Sequence, residues 1–137
     1  MKVYLAGKIR NKEERQSLEN IDTLCKSLGL ETFLPHRDVG LAKGVEDVSR
    51  IFNGDILEGF SNCSIVIALL DGLHVGAGTA WELGYAYANK IPAIGVKTDE
   101  SIEEGLEYLS AILIGSMPIV NSLEKLKEKL IEFINKN

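Results

Sequence analysis

The run Ile65-Val-Ile-Ala-Leu-Leu70 constrains this chain more than any other stretch, because six successive residues pass without one polar side chain. A strand with one wet face alternates apolar and polar residues, whereas a strand covered on both faces does not. The run therefore asks for a layer of structure above it and another below. It stops far short of the roughly 20 apolar residues that cross a bilayer, so that cover has to come from the chain's own helices, and no membrane partner is expected.

The rest of the sequence offers such layers. Lys2 to Ala6 reads as a first strand, ended by Gly7, and Leu18, Ile21, Leu24, Cys25 and Leu28 then recur at helical spacing up to Gly29. Leu30 to Leu34 reads as a second strand, and Pro35 opens a polar, glycine-containing loop over His36 to Glu46, long enough to be a binding loop. A helix is predicted over Asp47 to Asn62, with Cys63 at its end, and the apolar run follows as the third strand. A Gly-rich loop from Asp71 to Gly78 leads into a helix over Thr79 to Asn89. Ile91 to Val96 is the predicted fourth strand, Ser101 to Leu109 a short helix and Ala111 to Ile114 the fifth strand. A last helix carrying Leu123, Leu126, Leu130, Ile131 and Ile134 is expected to be capped by Asn121.

Strands alternating with helices give a mainly parallel sheet, because right-handed crossovers lay each helix over one face or the other. The expectation is a single α/β domain over residues 1–137: a flavodoxin-like or Rossmann-like sandwich, with a five-stranded parallel sheet in the order 2-1-3-4-5 and helices on both faces. A chain of 137 residues, 45% of them hydrophobic, fills one such core and leaves no room for a second. Ligands of such sheets bind outside the carboxyl ends of the strands, where the strand order reverses. That gathers Gly7 to Arg10, His36 to Asp38 and Asp71 to Glu82 around one crevice.

A net charge of −5 with no basic stripe argues against a nucleic acid polymer as partner, since such binding neutralises many phosphates. A small molecule fits better. Cys25 and Cys63 make neither a disulfide framework nor a pair of metal ligands, and both read as inert thiols. The chain runs from Met1-Lys2 directly into a strand, without the apolar stretch and cleavage site of a secretory leader, so a cytoplasmic protein is expected.

The most informative stretch is Asp71-Gly-Leu-His-Val-Gly-Ala-Gly-Thr-Ala-Trp-Glu-Leu-Gly-Tyr85. Gly76 and Gly78 allow a ligand close to the backbone, and a helix starting at Thr79 would aim free N–H groups and a positive dipole end at it. Glu82, in the first turn of that helix, would be held ionised, as an attacking carboxylate requires. Thr79-x-x-Glu82 is equally the capping-box pattern, in which the glutamate merely bonds back to the helix start. Spacing alone leaves both open, and the loop matches neither the dinucleotide fingerprint nor the phosphate loop.

Three separated motifs carry a resemblance. Tyr4-Leu-Ala-Gly7 at the end of the first strand, Asp55-Ile-Leu-x-x-Phe60 before the third, and Asp71-Gly…Gly78-Thr-Ala-Trp-Glu82-Leu-Gly-Tyr-Ala resemble the nucleoside 2-deoxyribosyltransferase family, over about Lys2 to Leu126. The resemblance implies that Glu82 attacks the anomeric carbon of a nucleoside, that Tyr4 orients it and that Asp55 assists proton transfer to the leaving base. It implies no metal and no organic cofactor. Many transferases of the family carry a base-reading aspartate six residues before the nucleophile, where this chain has Gly76. Gly7-Lys8-Ile9-Arg10 instead resembles a Gly-x-Ile-Arg segment of the related 2-deoxynucleoside 5′-monophosphate N-hydrolases. Ser110-Ala111 resembles a pair by which a neighbouring subunit contacts the phosphate there.

On that basis a nucleoside or, preferably, its 5′-monophosphate is the expected substrate, with Lys8 and Arg10 supplying positive charge, His36 over the sugar or base, and Ser110 reaching in from a second copy. A homodimer or larger homo-oligomer follows. The competing class is a nucleotide-binding or sensory domain without chemistry, since related α/β folds bind nucleotides that way.

Overall fold

A computed structural model describes residues 1–137. Five strands, β1 (Lys2–Ala6), β2 (Glu31–Phe33), β3 (Cys63–Leu69), β4 (Ala93–Val96) and β5 (Ile119–Val120), form one sheet in the order β2-β1-β3-β4-β5. Every pairing is parallel, as the alternation of elements requires. β1 lies between β2 and β3, so Tyr4 is in register with Phe33 on one side and Val66 on the other.

Alternation along the strands sorts the core into two layers. Val3, Leu5, Ile65, Ile67, Ile94 and Val96 point to one face, where Leu18, Ile21 and Cys25 of α1 (Lys12–Ser27) and Leu126 and Leu130 of α7 (Leu123–Lys136) cover them. Tyr4, Ala6, Val66 and Ala68 point to the other, under Leu83 and Ala86 of α4 (Ala77–Ala88) and Ile56 and Phe60. Every residue of the Ile65–Leu70 run except Leu69 is buried. Truncating one of these fully buried aliphatic side chains to alanine costs about 2–5 kcal/mol. α1 is set locally by Asn11, whose side chain caps the Glu14 amide, by Glu13 and Glu14 in its first turn and by Lys26 in its last.

Several elements differ from the sequence reading. Ala111 to Ile114 is not a strand: it lies in a helix, α6 (Ala111–Ser116), capped by the Ser110 hydroxyl, and the fifth strand is Ile119–Val120. A short apolar run carries no period long enough to tell helix from strand. α7 is capped by Ser122 rather than Asn121. Cys63 opens β3 rather than ending a helix.

The polar stretch after Pro35 contains a short helix, α2 (Pro35–Asp38), and a 3-10 turn at Val45–Asp47. The segment read as one helix is α3 (Val48–Phe52) running into a π-helix at Asn53–Glu58. Ser101 to Leu109 holds only a short α5 (Ile102–Gly105). No helix is long and apolar enough to cross a membrane.

Candidate active site

On the face of the sheet covered by α4 and the π-helix, Tyr4 is wholly buried, its ring stacked between Phe60 at 4.1 Å and Phe33 at 5.3 Å between centroids. The stack leaves the ring one direction for its hydroxyl. That hydroxyl donates a hydrogen bond to the Glu82 carboxylate in α4, 78 residues further along the chain. Glu82 is only 9% exposed.

The third group comes from the π-helix. One carboxylate oxygen of Asp55, Oδ1, is buried and has no hydrogen-bond partner. Burial pushes Asp55 up to about 6, although the Arg50 guanidinium pulls the other way. Burial pushes Glu82 up to about 7, opposed by the Tyr4 hydrogen bond and reinforced by the charge of Asp55. Burial, Glu82 and Asp55 together hold the Tyr4 phenol protonated far above its ordinary value. Two acids and a phenol thus share one low-dielectric spot, and near neutral pH the two carboxyls hold roughly one proton between them.

Two expectations about Glu82 change here. The helix starts at Ala77 with Gly76 at its N-cap and no side-chain cap, so Thr79 lies inside the first turn and the capping box does not form. Glu82 consequently sits in the second turn, where the dipole has faded. Its proton affinity is raised by burial, not lowered by the helix end.

Gly7, at the end of β1, touches the Leu18 side chain so closely that a Cβ there would stand 3.1 Å from it. Lys8 lies across the loop between β3 and α4: its stem passes Gly76, its ammonium abuts Gly72, and Glu14 is 3.9 Å away. Arg10 is 76% exposed and turned to Glu14, which accepts from its backbone amide at 2.9 Å and its guanidinium at 3.4 Å. Ile9 packs into the core on the α1 side. Gly78 faces open space. Ser110 caps α6, accepting from the Ile112 amide at 3.1 Å. His36 sits in α2 with Nε2 3.0 Å from Glu19 on α1.

Other residues around the site lay in or near the quoted motifs without being assigned a role by the sequence. Phe52, before the π-helix, meets Trp81 of α4 edge-on at 5.8 Å, and Trp81 stacks on Tyr85 at 5.7 Å. Asp71 accepts from the Thr98 amide at 2.6 Å and from its hydroxyl, tying the loop after β3 to the end of β4. No group of three or more His, Cys, Asp and Glu side chains is disposed to hold a metal ion.

A doubly covered parallel sheet with a buried phenol–carboxylate pair and a second acid beside it is an arrangement capable of acid–base or nucleophilic chemistry on a small molecule. Residues 3–112 match the model of the family described as nucleoside 2-deoxyribosyltransferase, and the chain belongs to that family of N-glycosidic-bond-cleaving enzymes. The matched span ends before the Leu126 limit that the motifs suggested. No curated protein matches the sequence.

Among solved structures, the chain is similar to a conserved protein from Enterococcus faecalis V583, with 24% identity, a TM-score of 0.78, and 96% of this chain and 98% of that one covered. It is similar to a 2-deoxyribosyltransferase from Bacillus psychrosaccharolyticus, with 22% identity, a TM-score of 0.75 and coverages of 93% and 90%. The likeness to a CMP N-glycosidase from Clostridium botulinum is weaker, with 19% identity, a TM-score of 0.55 and coverages of 95% and 98%.

Proposed function

We propose that this protein cleaves the N-glycosidic bond of a 2′-deoxynucleoside, preferably as its 5′-monophosphate, through a covalent glycosyl ester on Glu82. The observation that carries the reading is the buried Tyr4–Glu82 hydrogen bond with Asp55 beside it. In the first step a Glu82 oxygen bonds to the anomeric carbon while the bond to the base nitrogen breaks, and Asp55 passes its proton to that nitrogen. The departing sugar has oxocarbenium character, so an adjacent carboxylate is worth most at the transition state. Positive charge at the sugar favours ionised Glu82 and moves the shared proton onto Asp55, the state the step requires. In the second step water, or another base, attacks the ester and returns a proton to Asp55.

Hydrolysis is favoured over base exchange because Gly76 offers no acceptor side chain to a nucleobase. The 5′-phosphate would be met by Lys8, Arg10 and the N–H groups around Gly76 and Gly78, with Gly7 and Ile9 lining the same turn. His36 and a neighbouring copy's Ser110 complete the set, so a homodimer or larger even-numbered oligomer is part of the proposal.

Mass spectrometry after mixing with deoxynucleosides and their 5′-monophosphates should find a deoxyribosyl adduct on the peptide containing Glu82. A protein that binds these compounds but yields neither adduct nor free base is the non-catalytic binding domain instead. Base release with and without an acceptor base separates hydrolysis from exchange. Arg10→Ala should weaken use of the monophosphate far more than use of the plain nucleoside, and equal losses would remove the phosphate preference from the proposal.

A further inference from the structure

Lys97 is the most thoroughly buried charged residue outside the Tyr4–Asp55–Glu82 set, at 2% exposure, and none of the chemistry above uses it. It follows β4, where its backbone amide still donates to Val120 O, while its side chain turns under the loop that leaves β3. There the ammonium donates to Asp99 Oδ1 at 2.9 Å and, at 3.4 Å each, to the backbone oxygens of Leu70 and Gly72, with Glu100 at 3.6 Å. Asp99 uses its other oxygen to accept from the Gly72 amide at 2.7 Å. The Gly72 peptide is therefore held at both its N–H and its C=O by one ion pair. Asp71, next to it, is held by Thr98.

Little else holds this loop. Leu73 is exposed, and of the loop's apolar side chains only Val75 packs against the core. Gly72 has φ +101°, a conformation other residues rarely adopt, and a side chain there would also collide with the Lys8 ammonium. Room for the lysine stem is kept by Gly105, where a Cβ would stand 3.1 Å from Lys97 Cε. A buried ion pair is a poor source of stability, since desolvating two charges costs about as much as their attraction returns. A lysine at this strand end is better explained by the two inward-facing carbonyls it satisfies and the loop path it imposes.

We infer that Lys97 is a positioning residue of the site: with Asp99 it fixes the path of residues 71–76, and thereby where the uncapped start of α4 and the overlying Lys8 meet the substrate. Glu82 keeps its own anchor on Tyr4, so this scaffold governs substrate binding more than the chemical step. The inference rests on the proposed function for its kinetic consequence, but not for its structural one.

The test compares Lys97→Met and Asp99→Asn with the unaltered protein, using deoxyadenosine and deoxyadenosine 5′-monophosphate, alongside amide hydrogen exchange across residues 71–78. Lys97→Met should speed exchange at 72–76 by about tenfold or more and raise KM about tenfold with kcat within about threefold and an unchanged pH profile. Asp99→Asn, at a half-exposed position and still able to accept from Gly72, should move both readouts the same way by less and serves if Lys97→Met does not fold. A lysine with only a stability role would lower the melting temperature while leaving KM and loop exchange unaltered well below it; that result overturns the inference. If the unaltered protein releases base neither from these compounds nor from the other common deoxynucleosides and their 5′-monophosphates, the proposed function fails, and the exchange comparison still decides whether Lys97 holds the loop.

Discussion

At the scale of single residues, the buried carboxyl of Glu82 ties stability to pH in a direction that opposes the role proposed for it. Its proton affinity is raised from an ordinary 4.5 to about 7, so between those values the folded chain keeps a proton that the unfolded chain has lost. The folded state then binds more protons, and stability falls as pH rises. Glu82→Gln cannot ionise, and its amide oxygen still accepts from Tyr4. It should be more stable than the unaltered protein at pH 8 by roughly 2–3 kcal/mol, with the gap closing below pH 4.5, as read by urea unfolding. Its activity should fall by a factor on the order of a thousand or more. In the proposed mechanism the active form carries one proton on the two carboxyls, so kcat/KM should describe a bell with its maximum between about 6 and about 7. Asp55→Asn should lower the rate by about 10²–10⁴ and abolish the alkaline fall, leaving a profile that only rises as Glu82 ionises.

Among the elements, the π-helix decides how Asp55 reaches the site. π-helical turns are uncommon and gather at functional positions; here two glycines make room for one. A Cβ at Gly54 would come within 2.6 Å of Val39, and one at Gly59 within 2.7 Å of both the Tyr4 and the Phe33 rings. Gly59→Ala should therefore push first on the backbone carbonyl of Asp55 and then on the aromatic stack beside the Tyr4 hydroxyl, costing about 1–3 kcal/mol and a larger share of activity than of stability. Calorimetry and turnover on the same preparation check this. The strand order was legible because the β-α alternation and the run at Ile65–Leu70 leave few other arrangements. The π-helix was not, since Val48, Ile51, Phe52, Ile56 and Phe60 fit an ordinary helix about as well, and only the packing of Val39 and Tyr4 gives the two glycines their meaning. The end of the sheet misled for a related reason: Ala-Ile-Leu-Ile suits a strand by composition, and the Ser110 cap and Pro118 that make it a helix followed by a strand act from outside the run. Tyr4 and Glu82 were brought together only by family motifs, because nothing local links residues 78 positions apart.

For the whole molecule, exposed apolar side chains collect on α4 and its neighbours: Trp81 is 52% exposed and Phe52 46%, with Tyr87 and Ile112 more open still. Patches of this kind mark surfaces that meet partners, and the proposed assembly would cover them. Sedimentation should find a dimer or larger even-numbered species, and a strict monomer with full activity would remove Ser110 from the site. The same surface has an optical consequence. Trp81 is the chain's one tryptophan, and it bridges the two helical segments that deliver the opposing acids, touching Phe52 just ahead of Asp55 while stacking on Tyr85 one turn beyond Glu82. Its indole emission is thus a single-site gauge of the seam between them: a half-wet ring whose spectrum shifts blue when that seam is dried and red when it parts. The unmodified protein carries its own probe for following ligand arrival in a stopped-flow instrument, without any label attached.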